Sequence, residues 1–415
     1  MRKINVGFLG CGNIGGGVWS LLEDMRADIA RCFQVSFEVK RMLVRALDEP
    51  RAVPVPETLL TTDPEDILSD PQIDLVCEFM GGEQPAANYM LRALKNGKHV
   101  VTANKMALSL HWTQLHEAAY AAGVQLFYEA SVCGAIPVIR TVSDAITASR
   151  IDRIYGIVNG TTNYILTQMQ EQGLPYETAL KEAQRLGLAE PDPTSDVEGY
   201  DAAYKLSILS ALCFGVYATP ADIPCTGISS VDIRDIRLGR KLGLCLKLLA
   251  QAEKGDKGIS ACVSPTFVAK ESQLANVNGA FNGVLLHGHA CDDIFLYGRG
   301  AGSLPTASAI VADMIQVGRN KALSQGHDWT SVVIAATTSC RYYIRLDAQE
   351  AFLADACMQE AFLCGTQKHI LDDENSQYAV YLSTSLSAAE LHSLKNKLSD
   401  VLQGECVIWP VKGDA

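Results

Sequence analysis

Short apolar runs and amphipathic stretches follow one another along the first 130 residues. Residues 4–9 form an apolar run that predicts a strand, and the apolar spacing of residues 14–25, after a glycine-rich turn, predicts a helix. Further strands are predicted at 38–44, 75–78, 100–102 and 125–129, and further helices at 86–96 and 113–122. This order indicates an α/β fold with a Rossmann-type, doubly wound parallel sheet.

The pattern becomes less regular after this region. Residues 137–325 contain a strand-like stretch at 153–158 followed by helices and β-rich segments, and we predict an α+β domain for substrate binding and dimerisation. The tail is predicted as strand 341–347, helix 351–360, strands 366–371 and 378–384, helix 387–402 and strand 406–411, which is a βαββαβ, ACT-like unit. The predicted domains are therefore a dinucleotide-binding domain at 1–136, the second domain at 137–325, whose last helix returns to the first, and the ACT-like domain at 335–415.

Composition and charge exclude several classes of protein. The 415 residues exceed what one hydrophobic core normally supports, and the content of 48% hydrophobic and 20% charged residues is that of an ordinary globular protein. A net charge of −12 disfavours binding to nucleic acid or to an anionic membrane, because both attract clustered Lys and Arg. We therefore expect small-molecule partners, a local phosphate site at most, and a homodimer or higher homo-oligomer.

Three features predict a cytoplasmic location. The thirteen cysteines are scattered without a CxxC spacing, which is typical of reduced thiols. The first residues run directly into a predicted strand and resemble no signal peptide. The longest apolar run, 206–218, is shorter than the roughly 20 residues that span a bilayer, and predicts a buried helix.

A glycine-rich turn predicts the cofactor site. The pattern G-x-G-x-x-G lies between the first strand and the first helix and comprises Gly10, Cys11, Gly12, Asn13, Ile14 and Gly15. Gly10 permits the tight turn, Gly12 lets the backbone approach a pyrophosphate, and Gly15 allows close packing of helix and sheet. The alternative is a flexible connection between strand and helix.

Arg45 at the end of the second strand predicts the type of dinucleotide. Many NAD enzymes have an acidic residue there for the ribose hydroxyls, whereas an arginine suits a 2′-phosphate. We therefore predict NADP(H) over NAD(H). The alternative is that Arg45 is solvated, because Asp48 and Glu49 are close by.

The chain resembles the homoserine dehydrogenase family in several segments. The matching segments are residues 10–17, 102–105 (Thr-Ala-Asn-Lys), 128–132, 159–164 (Asn-Gly-Thr-Thr-Asn-Tyr), 186–194 (Leu-Gly-Leu-Ala-Glu-Pro-Asp-Pro-Thr) and 297–302. The resemblance implies the reversible NAD(P)H-dependent reduction of L-aspartate 4-semialdehyde to L-homoserine, a step towards threonine, methionine and isoleucine.

The segment 190–205 carries the groups that this chemistry needs. Residues 190–193 are too rich in proline for a helix interior and form a rigid loop with carboxylates, whereas residues 200–206 have a helical pattern that puts Asp201 and Lys205 on one face. By resemblance, Glu190 and Asp201 contact homoserine and Lys205 is the proton donor and acceptor. The alternative is an exposed ion pair worth about 0.3–0.5 kcal/mol, against which the apolar run after Lys205 indicates a buried helix.

Further roles follow from the resemblance alone. Ala103 and Lys105 contact the cofactor, and Lys105, which follows the predicted strand 100–102, also reaches the substrate and takes part in catalysis. A monovalent cation, sodium, is bound by the Glu129 carboxylate and by the carbonyls of Val132, Gly134 and Ile136. The alternative role for Glu129 is that of a structural cap.

Two other functions stay open. An acylating aldehyde dehydrogenase would use Cys133 as nucleophile, although no histidine lies near it in sequence. A non-catalytic NAD(P)-sensing protein would use the first and last domains alone. A DNA-binding regulator is disfavoured because the chain has no basic recognition element.

A few motifs receive no assigned role. Arg299 lies in a glycine-rich loop that suits either a phosphate or a plain connection, and His287 and His289 lack the neighbours of a metal site. The turn at 347–351 has neither glycine nor proline, so inhibition by threonine or another amino acid through the ACT-like unit is left open.

Overall fold

The computed structural model describes residues 1–255, 258–319, 330–331, 334, 339–361, 365–374 and 376–412. Strands and helices alternate in the first part of the chain, in the order β1 (Arg2–Leu9), α1 (Asn13–Phe33), β2 (Val35–Leu43), β3 (Leu60–Thr61), α2 (Glu65–Leu68), β4 (Leu75–Glu78), α3 (Ala86–Lys95), β5 (His99–Thr102), α4 (Lys105–Leu110), α5 (Trp112–Ala122), β6 (Leu126–Phe127) and α6 (Val138–Arg140).

The middle and the tail of the chain add longer strands. The elements are β7 (Ile151–Ile157), α7 (Gly160–Gln172), α8 (Tyr176–Arg185), α9 (Thr194–Val197), α10 (Tyr200–Phe214), β8 (Val216–Tyr217), α11 (Ile233–Lys241), β9 (Leu244–Gly255), β10 (Gly258–Ala269), β11 (Phe281–Gly288), β12 (Asp292–Arg299) and α12 (Ser303–Gly318). They are followed by β13 (Thr330–Ser331), β14 (Arg341–Asp347), α13 (Ala351–Ala361), β15 (Gln367–Asp373), β16 (Ser376–Leu382), α14 (Ala388–Val401) and β17 (Val407–Val411).

The chain divides into two compact units. Unit 1 is formed by Met1–Arg150, Tyr204–Pro220 and Gly298–Val332, and unit 2 by Ile151–Ala203, Ala221–Tyr297 and Val333–Ala415. Helix α12 packs against α1 within unit 1. The three-domain division stays a prediction, and its boundary at residue 325 lies outside the described residues.

A parallel six-stranded sheet organises unit 1. Its strand order is β3-β2-β1-β4-β5-β6, so β1 pairs with β2 on one side and with β4 on the other. The apolar run of β1 is buried because helices cover the sheet, and α1 and α12 share a core with Ile4, Val6 and Phe8. The predicted doubly wound sheet is confirmed. Its strand order reverses between β1 and β4, where such sheets bind ligands at the carboxyl ends of their strands.

Several elements of unit 1 differ from the sequence-based prediction, among them α1, which extends to Phe33 although the predicted helix ended at residue 25. The predicted strand 125–129 is only Leu126–Phe127, because Glu129 already begins a 3-10 turn, Glu129–Ser131. The apolar run 206–218 is not one helix, since α10 ends at Phe214 and Gly215 adopts a φ of +70° before β8. A left-handed glycine at this position is a common way to end a helix.

A mixed nine-stranded sheet organises unit 2. Its order is β12-β11-β7-β9-β10-β17-β14-β16-β15. The tail elements β14-α13-β15-β16-α14-β17 have the predicted βαββαβ order, and β14 has the predicted bounds. The tail strands join the rest of the sheet where Val411 of β17 pairs with Phe267 of β10.

The turn after β14 is closed by its own side chains. The Asp347 carboxylate accepts a hydrogen bond from the backbone N–H of Gln349 at 3.1 Å. The Glu350 carboxylate accepts the N–H groups of Gln403 at 2.7 Å and Gly404 at 3.1 Å. The Asp347 carboxylate therefore accepts from the turn itself, and the Glu350 carboxylate accepts from the segment that follows α14.

The twelve cysteines of the described residues are all free thiols, seven of them partly or fully exposed to solvent. Burial raises the pKa of several of them, for example that of Cys213 to about 12. In the part of the chain that the structure describes, no helix is long and apolar enough to cross a membrane.

A buried ion pair joins α11 to the tail strands within unit 2. Arg345 Nε lies 2.6 Å from Asp235 Oδ1, and the two side chains are 1% and 0% exposed. The hydroxyl of Tyr343 donates to the same carboxylate at 3.2 Å. Removing one partner of such a pair leaves an uncompensated buried charge, which is costly.

We predict that Asp235→Asn lowers the free energy of unfolding by about 3 kcal/mol, because Arg345 loses its buried counter-charge. Urea denaturation followed by circular dichroism measures the change. The matched control is Glu182→Gln, whose partner Arg185 is 68% exposed and which should unfold like the wild type. Equal urea midpoints for the two variants would contradict a stabilising role for the buried pair.

Candidate active site

The glycine turn of unit 1 has the geometry of a phosphate cradle. Gly10 follows β1 with a φ of +108°, and a Cβ on Gly15 would lie 2.5 Å from the Gly10 carbonyl oxygen. A Cβ on Gly12 would meet no protein atom within 4 Å. Gly12 is the N-cap of α1, so the space over it faces backbone N–H groups and the positive end of the helix dipole.

Two arginines flank one glutamate in the loop after β2. Arg45 is 91% exposed, with its Nε 3.8 Å from Glu49 Oε1, and Arg51 Nη1 lies 3.6 Å from Glu49 Oε2. Arg51 is only 15% exposed, donates to the carbonyl of Ala46 and lies near the thiol of Cys11. Sequence reasoning selected Arg45 but missed Arg51, because a loop position has no periodic pattern that reveals burial.

The carboxyl end of β5 leads directly into Lys105. Asn104 caps α4, with its Oδ1 accepting the N–H of Ala107 at 3.0 Å, and Lys105 is the first residue of that helix. Ala103 lies between the strand and this cap and is partly buried. Both predicted cofactor residues thus lie at the edge of the sheet where ligands of such folds bind.

Helix α10 carries Asp201 and Lys205 on successive turns. Asp201 is 3% exposed and Lys205 is 8% exposed, so neither is the solvated surface residue of the alternative interpretation. The helix begins after Gly199, whose φ is +86°, and most of its apolar residues are buried. A buried lysine in an apolar helix is costly, which favours a functional role.

An asparagine holds two carboxylates in unit 2. Asn159 Nδ2 donates to Asp201 Oδ2 at 2.9 Å and to Asp196 Oδ1 at 2.7 Å. Its Oδ1 caps α7 by accepting the N–H of Thr162 at 2.8 Å. Glu190 is exposed in the loop between α8 and α9. Sequence reasoning selected Glu190 and Asp201 but assigned no role to Asn159 or Asp196.

The predicted cation loop has an unexpected set of contacts. The Glu129 oxygens accept the N–H groups of Ile139 at 2.9 Å and Arg140 at 2.8 Å, so Glu129 does cap α6. The carbonyl of Ile136 accepts the N–H of Val138 at 2.8 Å. Cys133 and Gly134 adopt φ angles of +56° and +53°.

A second buried carboxylate lies against Glu129. Asp313 of α12 accepts the N–H of Glu129 at 2.8 Å and is bound by Arg140 Nη2 at 2.6 Å. Burial and the negative charge of Glu129 raise the pKa of Asp313 to about 7, and burial also raises the pKa of Glu129. Asp313 thus binds the guanidinium of Arg140 while Glu129 accepts its backbone N–H, so the two carboxylates lie close together beside one arginine. A lone aspartate within an otherwise apolar helix was the available signal for Asp313.

The loop around Arg299 packs against the cation loop. The Arg299 carbonyl accepts the N–H of Ala135 at 3.2 Å, and a Cβ on Gly134 would lie 2.7 Å from the carbonyl oxygen of Gly300. His287 instead pairs with Asp293 at 2.6 Å. Among the described residues, no group of three or more His, Cys, Asp or Glu side chains is placed to hold a metal ion.

Comparison with known proteins identifies the family. One family profile, described as "Homoserine dehydrogenase, NAD binding domain", matches residues 10–129, and another, "Homoserine dehydrogenase", matches residues 137–315. A homoserine dehydrogenase of Neisseria gonorrhoeae is 35% identical over an alignment of 434 positions, gaps included, which covers 99% of this chain and 98% of that protein. The chain belongs to the homoserine dehydrogenase family. A Bacillus subtilis homoserine dehydrogenase is 40% identical over 78% of this chain and 75% of its own length.

Solved homoserine dehydrogenases extend the likeness to the whole chain. The crystal structure from Thiobacillus denitrificans matches with a TM-score of 0.90 at 35% identity and covers 99% of both chains. That from Staphylococcus aureus matches with a TM-score of 0.82 at 32% identity and covers all of both chains. The tail, which lies beyond residue 315, is therefore shared with full-length homoserine dehydrogenases.

Family membership decides between the functions left open by the sequence. The chain carries the family's NAD-binding domain, as the glycine turn predicts, and it is an oxidoreductase by family. The acylating mechanism is disfavoured further because Cys133 is 1% exposed, whereas an attacking thiol must reach its substrate.

We predict that alanine at two glycines of the turn weakens NADPH binding in both cases but lowers stability in only one. Gly12→Ala should melt like the wild type, because the added Cβ meets no protein atom, but should bind NADPH at least about tenfold more weakly. Gly15→Ala should lower both stability and affinity, because its Cβ meets the Gly10 carbonyl. Thermal melting and NADPH fluorescence titration measure the two properties, and wild-type affinity in Gly12→Ala would contradict the assignment of the cradle.

Proposed function

We propose that this chain catalyses the reversible NAD(P)H-dependent reduction of L-aspartate 4-semialdehyde to L-homoserine, with Lys205 as proton donor and acceptor. The observation that carries the proposal is the buried pair of Asp201 and Lys205 on helix α10 in a chain of this family. A buried carboxylate and a buried ammonium supply the two kinds of group that an amino-acid alcohol and its aldehyde require.

Each of the candidate residues has a separate role in this reaction. A dinucleotide held by the glycine turn would supply the hydride that reduces the aldehyde carbon. Lys205 donates a proton to the aldehyde oxygen as it becomes a hydroxyl, and removes that proton in the reverse direction. Asp201 and Glu190 bind the substrate ammonium, and the hydrogen bonds from Asn159 hold Asp201 in one orientation. Lys105, at the carboxyl edge of the sheet, contacts cofactor and substrate.

We predict that Lys205→Ala lowers kcat by about 10²- to 10⁴-fold, the usual contribution of a general acid or base. NADPH binding should be unchanged, because the glycine turn and the loop after β2 are left intact. The oxidation of NADPH in the presence of L-aspartate 4-semialdehyde measures kcat, and fluorescence titration measures the affinity for NADPH. Lys181→Ala, on the exposed face of α8, is the control. A near wild-type kcat for Lys205→Ala would refute its role.

We also propose that the enzyme prefers NADP(H). Two guanidinium groups, those of Arg45 and Arg51, lie beside the position after β2 where a Rossmann fold places the adenosine ribose. Arginine pairs well with phosphate, and binding of a 2′-phosphate would draw both arginines away from Glu49.

Arg45→Ala and Arg51→Ala should each lower kcat/KM for NADPH by about 10- to 100-fold, the value of a charge-assisted hydrogen bond, with little effect on NADH. Arg41→Ala, an exposed arginine on β2, is the matched control. Steady-state kinetics with both cofactors measure the ratio. A wild-type preference for NADH would overturn the proposal.

We also propose that a sodium ion binds at the loop that contains Glu129. Carboxylate and carbonyl oxygens suit a hard cation, and a cation at this loop would weaken the repulsion between Glu129 and Asp313 that raises the pKa of Asp313. Glu129 would contribute lone pairs that its two N–H donors leave available, together with the carbonyls of Val132, Gly134 and Ile136.

We predict higher activity in sodium chloride than in tetramethylammonium chloride at equal ionic strength, because the bulky cation cannot enter a loop of backbone carbonyls. Initial rates in the two salts test this, with potassium chloride as an intermediate case. Equal rates in all three salts would contradict a cation at this loop.

We further propose that the protein is a cytoplasmic homodimer. Light scattering measures the mass of the assembly.

A further inference from the structure

Glu78 is a buried carboxylate that the proposed mechanism does not use. It is the last residue of β4 and is 0% exposed. Burial raises its pKa, while hydrogen bonds from Thr102, Met80, Asn104 and Gly81 lower it. These partners are neutral donors, so hydrogen bonds compensate the burial of this carboxylate.

The hydrogen bonds of Glu78 tie two loops together. Glu78 Oε1 accepts the backbone N–H of Met80 at 2.7 Å and the Nδ2 of Asn104 at 3.3 Å. Its Oε2 accepts the hydroxyl of Thr102 at 2.6 Å. Thr102 in turn accepts the N–H of Asn104 at 2.9 Å, and Asn104 donates to the carbonyl of Gly82 at 2.8 Å. The loop after β4 and the loop after β5 are thus held by one carboxylate.

Both loops lie at the ligand-binding edge of the sheet. They follow the carboxyl ends of β4 and β5, next to the point between β1 and β4 where the strand order reverses. A Cβ on Gly10 of the glycine turn would lie 3.3 Å from the Phe79 backbone. Gly81 and Gly82 have φ angles of +74° and +68°, and a Cβ on either would meet no protein atom within 4 Å. Residues 79–82 therefore run from the cofactor turn along open space.

We propose that Glu78 is a positioning residue for hydride and proton transfer: its carboxylate orients Asn104, and with it the helix start that carries Lys105, and holds the loop 79–82 beside the cofactor. This inference rests on the proposed dehydrogenase activity. A displacement of reacting groups by about 1 Å can cost about 100-fold in rate, which makes a rigid support under Lys105 consequential.

A carboxylate suits this position better than an amide. It only accepts hydrogen bonds, and all of its recorded partners donate to it. Glutamine has the same shape but presents an NH₂ group to one of these donors. If Met80 or Asn104 loses its acceptor, a loop shifts, whereas the Thr102 hydroxyl can rotate and accept instead. Glu78→Gln should therefore keep part of the support that Glu78→Ala removes.

The test compares Glu78→Ala, Glu78→Gln and Asp74→Asn. Asp74 is an exposed carboxylate just before β4, at the opposite end of the same strand, and accepts the N–H of Asn5 at 2.8 Å. We expect kcat to fall about 10- to 100-fold in Glu78→Ala, less in Glu78→Gln and not at all in Asp74→Asn. The primary isotope effect with deuterated NADPH should rise in the order of the losses, because hydride transfer becomes more rate-limiting.

A merely structural role of Glu78 is distinguished from a positioning role by dividing each rate by the fraction of protein that binds NADPH in a fluorescence titration. A normalised kcat and isotope effect equal to the wild type in both Glu78 variants would overturn the inference. Equal losses in alanine and glutamine variants with an unchanged isotope effect would overturn it too. If the wild type itself reduces no L-aspartate 4-semialdehyde, the proposed activity fails instead, which is a distinguishable outcome.

Discussion

An ionised side chain that leaves water is tolerated in a protein interior only where donors or opposite charges replace its hydration. The buried carboxylates of this chain meet that requirement in different ways. Asp235 is paired with an arginine, Glu78 is surrounded by neutral donors, Asp313 binds the guanidinium of Arg140, and Glu129 accepts backbone N–H groups. Each solution also fixes the segments that supply the partners, so the cost of burial determines which loops are held rigidly.

In each of the two units an asparagine holds side chains of the candidate site. In unit 1, Asn104 caps α4 with its carbonyl oxygen and donates from its amide to Glu78. In unit 2, Asn159 caps α7 with its carbonyl oxygen and donates to Asp196 and Asp201. An asparagine suits both places because its side chain accepts and donates at once. The helix start and the carboxylate are thereby oriented by one residue.

Much of the fold could be predicted because local patterns and tertiary packing agree. The strand 75–78 and the strand 341–347 were predicted with their observed bounds. The predicted strand 125–129 was too long, because the backbone of Glu129 donates to Asp313, 184 residues away. Periodicity in a short window contains no information about such a partner. The same holds for Arg51, whose burial depends on how a long loop folds back onto the glycine turn.

The sequence by itself determined the alternation of strands and helices in the first part of the chain and the βαββαβ order of the tail. It also determined the cofactor turn, the family and the candidate residues Lys205, Asp201 and Lys105, because apolar periodicity and short motifs are local properties. Only the tertiary structure decided which carboxylates are buried and what each one binds. It turned Glu129 into a helix cap with a charged neighbour, and placed Glu78 beneath the start of α4. The reason is physical: the state of a charged group depends on the dielectric and the donors around it, and distant parts of the chain supply both.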